Sequence, residues 1–198
     1  LGENEGQSNC LMAELIVLED FYSDPDFIRQ YAFNELAWHD KKGNHPGRRS
    51  DPDRHPTVKK LLEDTIQKEV TDWDVEWNYS NGAYNLCKAW DKCWIHSDWG
   101  TTYACVVYLT PNAPIESGTA LYKHKKTGYR VRPEDDEIAK QLDEDSNDFT
   151  AWEMTDYVGN VYNRAVIYKG KYYHSAVQYF GRTDEYCRMH QTFFFSTK

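Results

Sequence analysis

The chain has 198 residues, enough for one domain with a sizeable core. Its formal net charge of −9 supplies no overall field for drawing in nucleic acid or anionic lipid, so neither is an expected partner. The aromatic share of 15%, from 15 Tyr, 8 Phe and 7 Trp, argues for a folded, pocketed protein and against disorder.

Residues 1–12 read as a flexible leader and 13–198 as a single domain. The polar start lacks the basic and apolar regions of a secretory signal, and the longest apolar run, Ala104 to Leu109, is strand-sized, too short to span a membrane. Cys10, Cys87, Cys93, Cys105 and Cys187 show no C-x-x-C spacing, which speaks against a zinc ribbon or a disulfide framework. A reducing, cytoplasmic location is expected.

Glu14 to Glu19 reads as a buried strand. Asp24 and Pro25 are a helix-start pair, with Phe27, Ile28, Tyr31 and Leu36 as an apolar stripe over roughly 25–37. Residues 39–55 are polar and rich in Gly, Pro and His, so they read as a long solvated loop in which Arg48 and Arg49 could meet an anionic substrate. Pro56 opens a second helix with Val58, Leu61, Leu62, Ile66 and Val70 on one face. Val75 to Tyr79 and Ala83 to Trp90 alternate as two strands about a turn at Ser80, Asn81 and Gly82. Strands follow at Thr102 to Thr110 and Gly118 to Lys123. From 123 to 150 a basic patch precedes an acidic one around a short helix after Pro133, an exposed insertion between strands. Trp152 to Tyr157, Ala165 to Tyr168, Tyr172 to Val177 and Arg188 to Phe195 complete the sheet pattern. Two leading helices and about eight short strands point to a mainly β sandwich or jelly roll with helical support.

The chemistry concentrates at His96 and Asp98. On a strand, residues two apart leave one face, so an imidazole and a carboxylate enter one space. Burying such a pair is costly unless it is hydrogen-bonded or metal-bound. His174, after a glycine turn on a later strand, shares a face with Tyr172 and Ala176. Together the three form the two-histidine, one-carboxylate triad that leaves coordination positions open on a non-haem iron. His39, His45, His55 and His124 read as solvent-facing, and His190 as a residue behind the site.

The order His96-x-Asp98, Val107-Tyr108-Leu109, Gly118-Thr119, Asn163-Arg164-Ala165-Val166-Ile167-Tyr168, His174, then Arg188 before Phe193-Phe194-Phe195 resembles the 2-oxoglutarate/iron(II)-dependent oxygenases. The nearest type is the prolyl-hydroxylase-like branch and its small bacterial and phage members, with residues 84–195 carrying the likeness. The resemblance implies a double-stranded β-helix, with Fe(II) held by His96, Asp98 and His174 as metal and catalytic residues. It further implies 2-oxoglutarate chelating the iron, O2 as oxidant, and a basic residue for the far carboxylate, because a buried carboxylate demands a charge-assisted partner. Arg188, opening the last strand, is favoured over Arg182 in the preceding turn. Tyr84, Tyr103 and Tyr108 compete for a phenol contact to the co-substrate. Retention of Asp98 favours hydroxylation over halogenation, with a peptide or small-molecule substrate. The competing classes are a ligand-binding jelly-roll module with an aromatic pocket (Trp90, Trp94, Trp99, Trp152) and an accessory structural protein.

Overall fold

The structure, a computed structural model, describes residues 15–40, 45–76 and 78–198. The expected leader, 1–12, lies outside the described residues. Among the described residues ten strands form in chain order: β1 (Leu15–Leu18), β2 (Trp38–His39), β3 (Arg48–Pro52), β4 (Ala83–Cys87), β5 (Tyr103–Tyr108), β6 (Thr119–His124), β7 (Trp152–Val158), β8 (Ala165–Lys169), β9 (His174–Ala176) and β10 (Arg188–Phe195). The α-helices among the described residues are α1 (Pro25–Glu35), α2 (Pro56–Ile66) and α3 (Asp136–Glu144). A seven-stranded antiparallel sheet runs β1-β8-β5-β10-β4-β3-β2 and faces a three-stranded sheet, β7-β6-β9. This is the mainly β, double-stranded β-helix architecture expected from the sequence.

Period-two patterning divides the large sheet into two faces. The outer face carries Cys105, Val107, Phe193 and Phe195, which pack with Ala32 of α1 and with Leu62 and Ile66 of α2. Phe193 and Phe195 are both 0% exposed, so each stabilises the sheet–helix contact by about 1.5–3 kcal/mol. The inner face carries Ala104, Val106, Tyr108, Val166 and Tyr168 against Leu121 and Val158 of the small sheet. Helix α1 starts where expected: the Asp24 carboxylate accepts from the Phe27 amide, with Pro25 in the first turn. Phe27 itself is 61% exposed, so the stripe that packs is Ile28, Ala32 and Phe33.

Several expectations need correction. The 39–55 stretch contains the end of β2 and all of β3, the last two strands at one end of the sheet, where apolar alternation is absent. No strand forms over the described part of 75–79, whose residues turn instead, and β4 ends at Cys87 rather than Trp90. The 123–150 segment is not merely exposed: Ala139 and Leu142 of α3 are 0% exposed, and Leu142 packs with Ile95, Tyr122, Trp152 and Tyr173. His124 is buried against Asp145 (3.0 Å) and Trp152, and His45 is buried too, so neither faces solvent. Among the described residues no helix is long and apolar enough to cross a membrane.

Candidate metal and co-substrate site

His96 and Asp98 lie on extended chain outside the ten strands, contrary to the strand expected there. Two sets of backbone hydrogen bonds hold this stretch to the segment leading into β9. The His96 amide donates to the His174 carbonyl (3.0 Å), the His174 amide donates to the His96 carbonyl (2.8 Å), and the Asp98 amide donates to the Gly170 carbonyl (2.7 Å). Gly170 is required by this close approach, since a Cβ there would stand 2.6 Å from the Asp98 carbonyl oxygen and 2.7 Å from that of Thr101. On the far side the Ile95 amide donates to the Ser146 carbonyl (2.8 Å), so the inserted segment backs the site.

These contacts bring the three predicted side chains together. His174 Nε2 is 3.2 Å from Asp98 Oδ2, His96 Nε2 is 3.9 Å from Asp98 Oδ1, and the three ligand atoms lie within 4.8 Å of one another. Each Nδ1 faces the backbone carbonyl two residues back, Trp94 for His96 (3.0 Å) and Tyr172 for His174 (2.9 Å). A carbonyl only accepts, so each Nδ1 carries a hydrogen, and in the neutral ring Nε2 presents a lone pair. Two imidazole lone pairs and a carboxylate then converge, an arrangement that repels itself unless a cation joins it. Neighbouring ligands on an octahedral ion with bonds of about 2.1 Å sit roughly 3 Å apart, so the donor set fits a metal.

The electrostatics agree. Burial, then the adjacent His174, lowers the His96 pKa, although part of its ring is open to the pocket. Burial alone would raise Asp98, but His174 and then His96 outweigh it and hold the carboxyl below its ordinary value. Both shifts favour the protonation states that ligate metal.

The triad opens into a pocket of about 450 Å³ that Arg188 also lines. Arg188 is 2% exposed. Its Nε donates to the Ser117 carbonyl (2.8 Å), one terminal nitrogen meets His190 Nδ1 (3.1 Å), and the other donates to Thr119 Oγ1 (3.4 Å). The Tyr108 and Tyr179 rings flank it, at 5.3 and 5.8 Å from the guanidinium carbon. All these partners are neutral, and no carboxylate among the described residues pairs with it. A buried cation without a counter-charge carries a desolvation cost of several kcal/mol, which an incoming anion would offset. His190, pressed by burial and by Arg188, has its pKa lowered well below the usual imidazole value, so it meets the arginine as a neutral acceptor.

The remaining predicted residues separate. Arg182 is exposed in the turn before β10 and does not line the pocket. Tyr108 is buried on the inner face and donates to Thr119 Oγ1 (2.8 Å), which places it beside Arg188. Tyr84 points to the outer face, donating to Asp53 Oδ2 (3.3 Å), because β4 turns Asn85 and Cys87 inward and Tyr84 and Leu86 outward. Tyr103 also joins the outer-face core. Tyr179, Thr119 and Arg49 line the pocket without having been singled out as site residues for the co-substrate. Tyr179 had no motif around it to mark it. Thr119, one of the ordered landmarks in the sequence, lies beside Tyr108 and Arg188.

A family model described as a family of unknown function (DUF6445) matches residues 9–179. The chain belongs to this family. No curated protein matches the DUF6445 chain. Among solved structures it is similar to HygX from Streptomyces hygroscopicus with nickel and 2-oxoglutarate bound, at a TM-score of 0.52 and 11% identity, covering 94% of this chain and 84% of that one. The same protein with nickel, 2-oxoglutarate and hygromycin B bound gives 0.51 and 12% over 94% and 84%. At such identity the likeness concerns the fold, and that fold is the one used by the 2-oxoglutarate/iron(II) oxygenases.

Proposed function

We propose that this DUF6445 protein is a non-haem iron(II) dioxygenase that couples oxidative decarboxylation of 2-oxoglutarate to succinate with hydroxylation of a peptide or small-molecule substrate. The observation that carries this reading is a His-Asp-His donor set sharing one pocket with a buried arginine that has no carboxylate partner. His96, Asp98 and His174 would hold the metal, and the Trp94 and Tyr172 carbonyls orient the two imidazoles toward it. Arg188 would receive the far carboxylate of 2-oxoglutarate, with Ser117, Thr119 and His190 fixing its guanidinium and Tyr108 and Tyr179 walling it from water. Iron(II) with 2-oxoglutarate and O2 supplies the oxidising power that no side chain here possesses. HygX, which shares the fold, holds nickel and 2-oxoglutarate, in keeping with this donor set. A carboxylate at position 98 leaves no room beside the histidines for a halide, which favours hydroxylation.

The test is aerobic incubation with iron(II) and 2-oxoglutarate, with and without pooled peptide and small-molecule substrates, reading succinate. Iron-dependent succinate that disappears in His96→Ala is expected. Succinate formation that survives that substitution would refute the assignment of the metal site.

A further inference from the structure

Arg49 is the second cation of the pocket, and co-substrate binding at Arg188 leaves it without a task. Strand β3 alternates, so Arg48 and Arg49 diverge. Arg48 turns outward to the carboxylates of Asp184 and Asp40, while Arg49 lines the pocket with the metal triad. The register β3-β4-β10 aligns Arg49 with Asn85 and Asn85 with His190, which places Arg49 on the same inner face as His190 and two rows across from Arg188.

Its guanidinium is held but not neutralised. Nε donates to Asn85 Oδ1 (2.8 Å) and one terminal nitrogen donates to Ser80 Oγ (2.6 Å), both uncharged acceptors. The other terminal nitrogen has no protein partner among the described residues. Outside the pocket most arginines are engaged, and Arg182 is exposed in its turn. Arg48, Arg130, Arg132 and Arg164 pair with carboxylates, and Arg29 and Arg54 are engaged by backbone carbonyls away from the pocket. In a chain with 32 acidic residues, a preset guanidinium that makes no ion pair among the described residues, and feels the Asp98 carboxylate only through space, is suited to receive an anion from outside.

Resting on the reading above, we infer that Arg49 binds an anionic group, a carboxylate or phosphate, of the substrate to be oxidised. 2-Oxoglutarate has two carboxylates; one belongs to the metal-chelating end and the other to Arg188, so a third anion must come from another molecule. Tyr79 and Trp99, 61% and 64% exposed, stand at the same pocket and offer flat apolar surfaces to the body of that molecule.

Inorganic phosphate is the probe, titrated into metal-free protein while the arginine side-chain Nε–H resonances are followed by NMR. Wild type should show a saturable shift that Arg49→Gln weakens by about tenfold or more, the loss of a charge-assisted hydrogen bond, and that Arg48→Gln leaves in place. In parallel, 2-oxoglutarate is titrated into cobalt(II)-loaded protein by calorimetry. Arg49→Gln should retain wild-type affinity, and Arg188→Gln should lose about tenfold or more. The inference is overturned if phosphate binds Arg49→Gln as it binds wild type, or if Arg49→Gln weakens 2-oxoglutarate as much as Arg188→Gln does. Failure of cobalt and 2-oxoglutarate to bind, with the phosphate shift at Arg49 intact, would refute the oxygenase reading while the anion site stands.

Discussion

At the level of single residues, Arg188 is the sharpest case. Its guanidinium is buried among neutral acceptors, so its charge is available only while no carboxylate stands beside it. His190→Asp would install one at the ring position now 3.1 Å away. We expect this variant to fold and to bind cobalt(II), yet to lose 2-oxoglutarate affinity by about tenfold or more, because the internal ion pair competes with the ligand. Calorimetry on the metal-loaded variant reads both quantities. Asp184 provides a pH-dependent counterpart away from the pocket. Burial would raise its pKa, but Lys88 and Arg48 outweigh that and hold it below the ordinary carboxylate value. A depressed folded-state pKa contributes stability above the unfolded value, lost as pH falls through the folded one. Asp184→Asn should therefore destabilise at neutral pH by about 1 kcal/mol after solvent screening, and the difference should vanish at pH values below the depressed pKa. Urea melts at several pH values measure it.

At the level of elements, the site depends on how the 94–101 stretch lies against the chain entering β9. A Cβ at position 170 would collide with two backbone carbonyls that cannot move aside as a side-chain tip could. Gly170→Ala should cost about 1–3 kcal/mol and weaken cobalt(II) binding at the same time, because relief of the clash displaces Asp98. Leu142→Ala tests the support behind the site: with Leu142 0% exposed, a loss of about 2–5 kcal/mol is expected in a urea melt. The elements also show what the sequence conveyed. Strands β5, β6, β8 and β10 were legible because apolar residues fill both faces or alternate cleanly, α1 because Asp24 and Pro25 mark its start, and α2 because Pro56 precedes a one-sided apolar stripe. The triad was legible because His-x-Asp on any extended chain projects to one side, even where the strand itself proved to be one bridge. Strands β2 and β3 were not legible: β2 is a two-residue edge strand that pairs with β3, and the polar β3 joins the sheet through β4, a long-range pairing that local pattern does not carry. Sequence marks Arg48 and Arg49 together as charges that could meet an anionic substrate; only the register of β3 shows that Arg49 is the one that turns into the pocket. The outward direction of Tyr84 is not legible for a related reason, since alternation separates the faces of β4 without saying which one meets the pocket.

At the level of the whole molecule, two sheets and two leading helices divide the labour. The outer face of the large sheet is consumed in packing against α1 and α2, which fixes β10, β4 and β5 in register. The inner face is thereby free to mix an apolar end, around Val106 and Val166, with a polar end that carries Arg188, His190 and Arg49. The small sheet closes that polar end by bringing His174 and, through it, His96 and Asp98. The proposed metal, co-substrate and substrate anchors thus come from three separate parts of the chain that the fold brings into one pocket. The most direct measurement is an anaerobic titration of the iron(II)-loaded protein with 2-oxoglutarate, followed by the visible charge-transfer absorption of an iron–keto acid chelate. The expected result is a band that saturates at one equivalent, is absent in His174→Ala, and requires about tenfold or more 2-oxoglutarate in Arg188→Gln. A protein that takes up iron(II) stoichiometrically but gives no band, or gives the same band in His174→Ala, would contradict it.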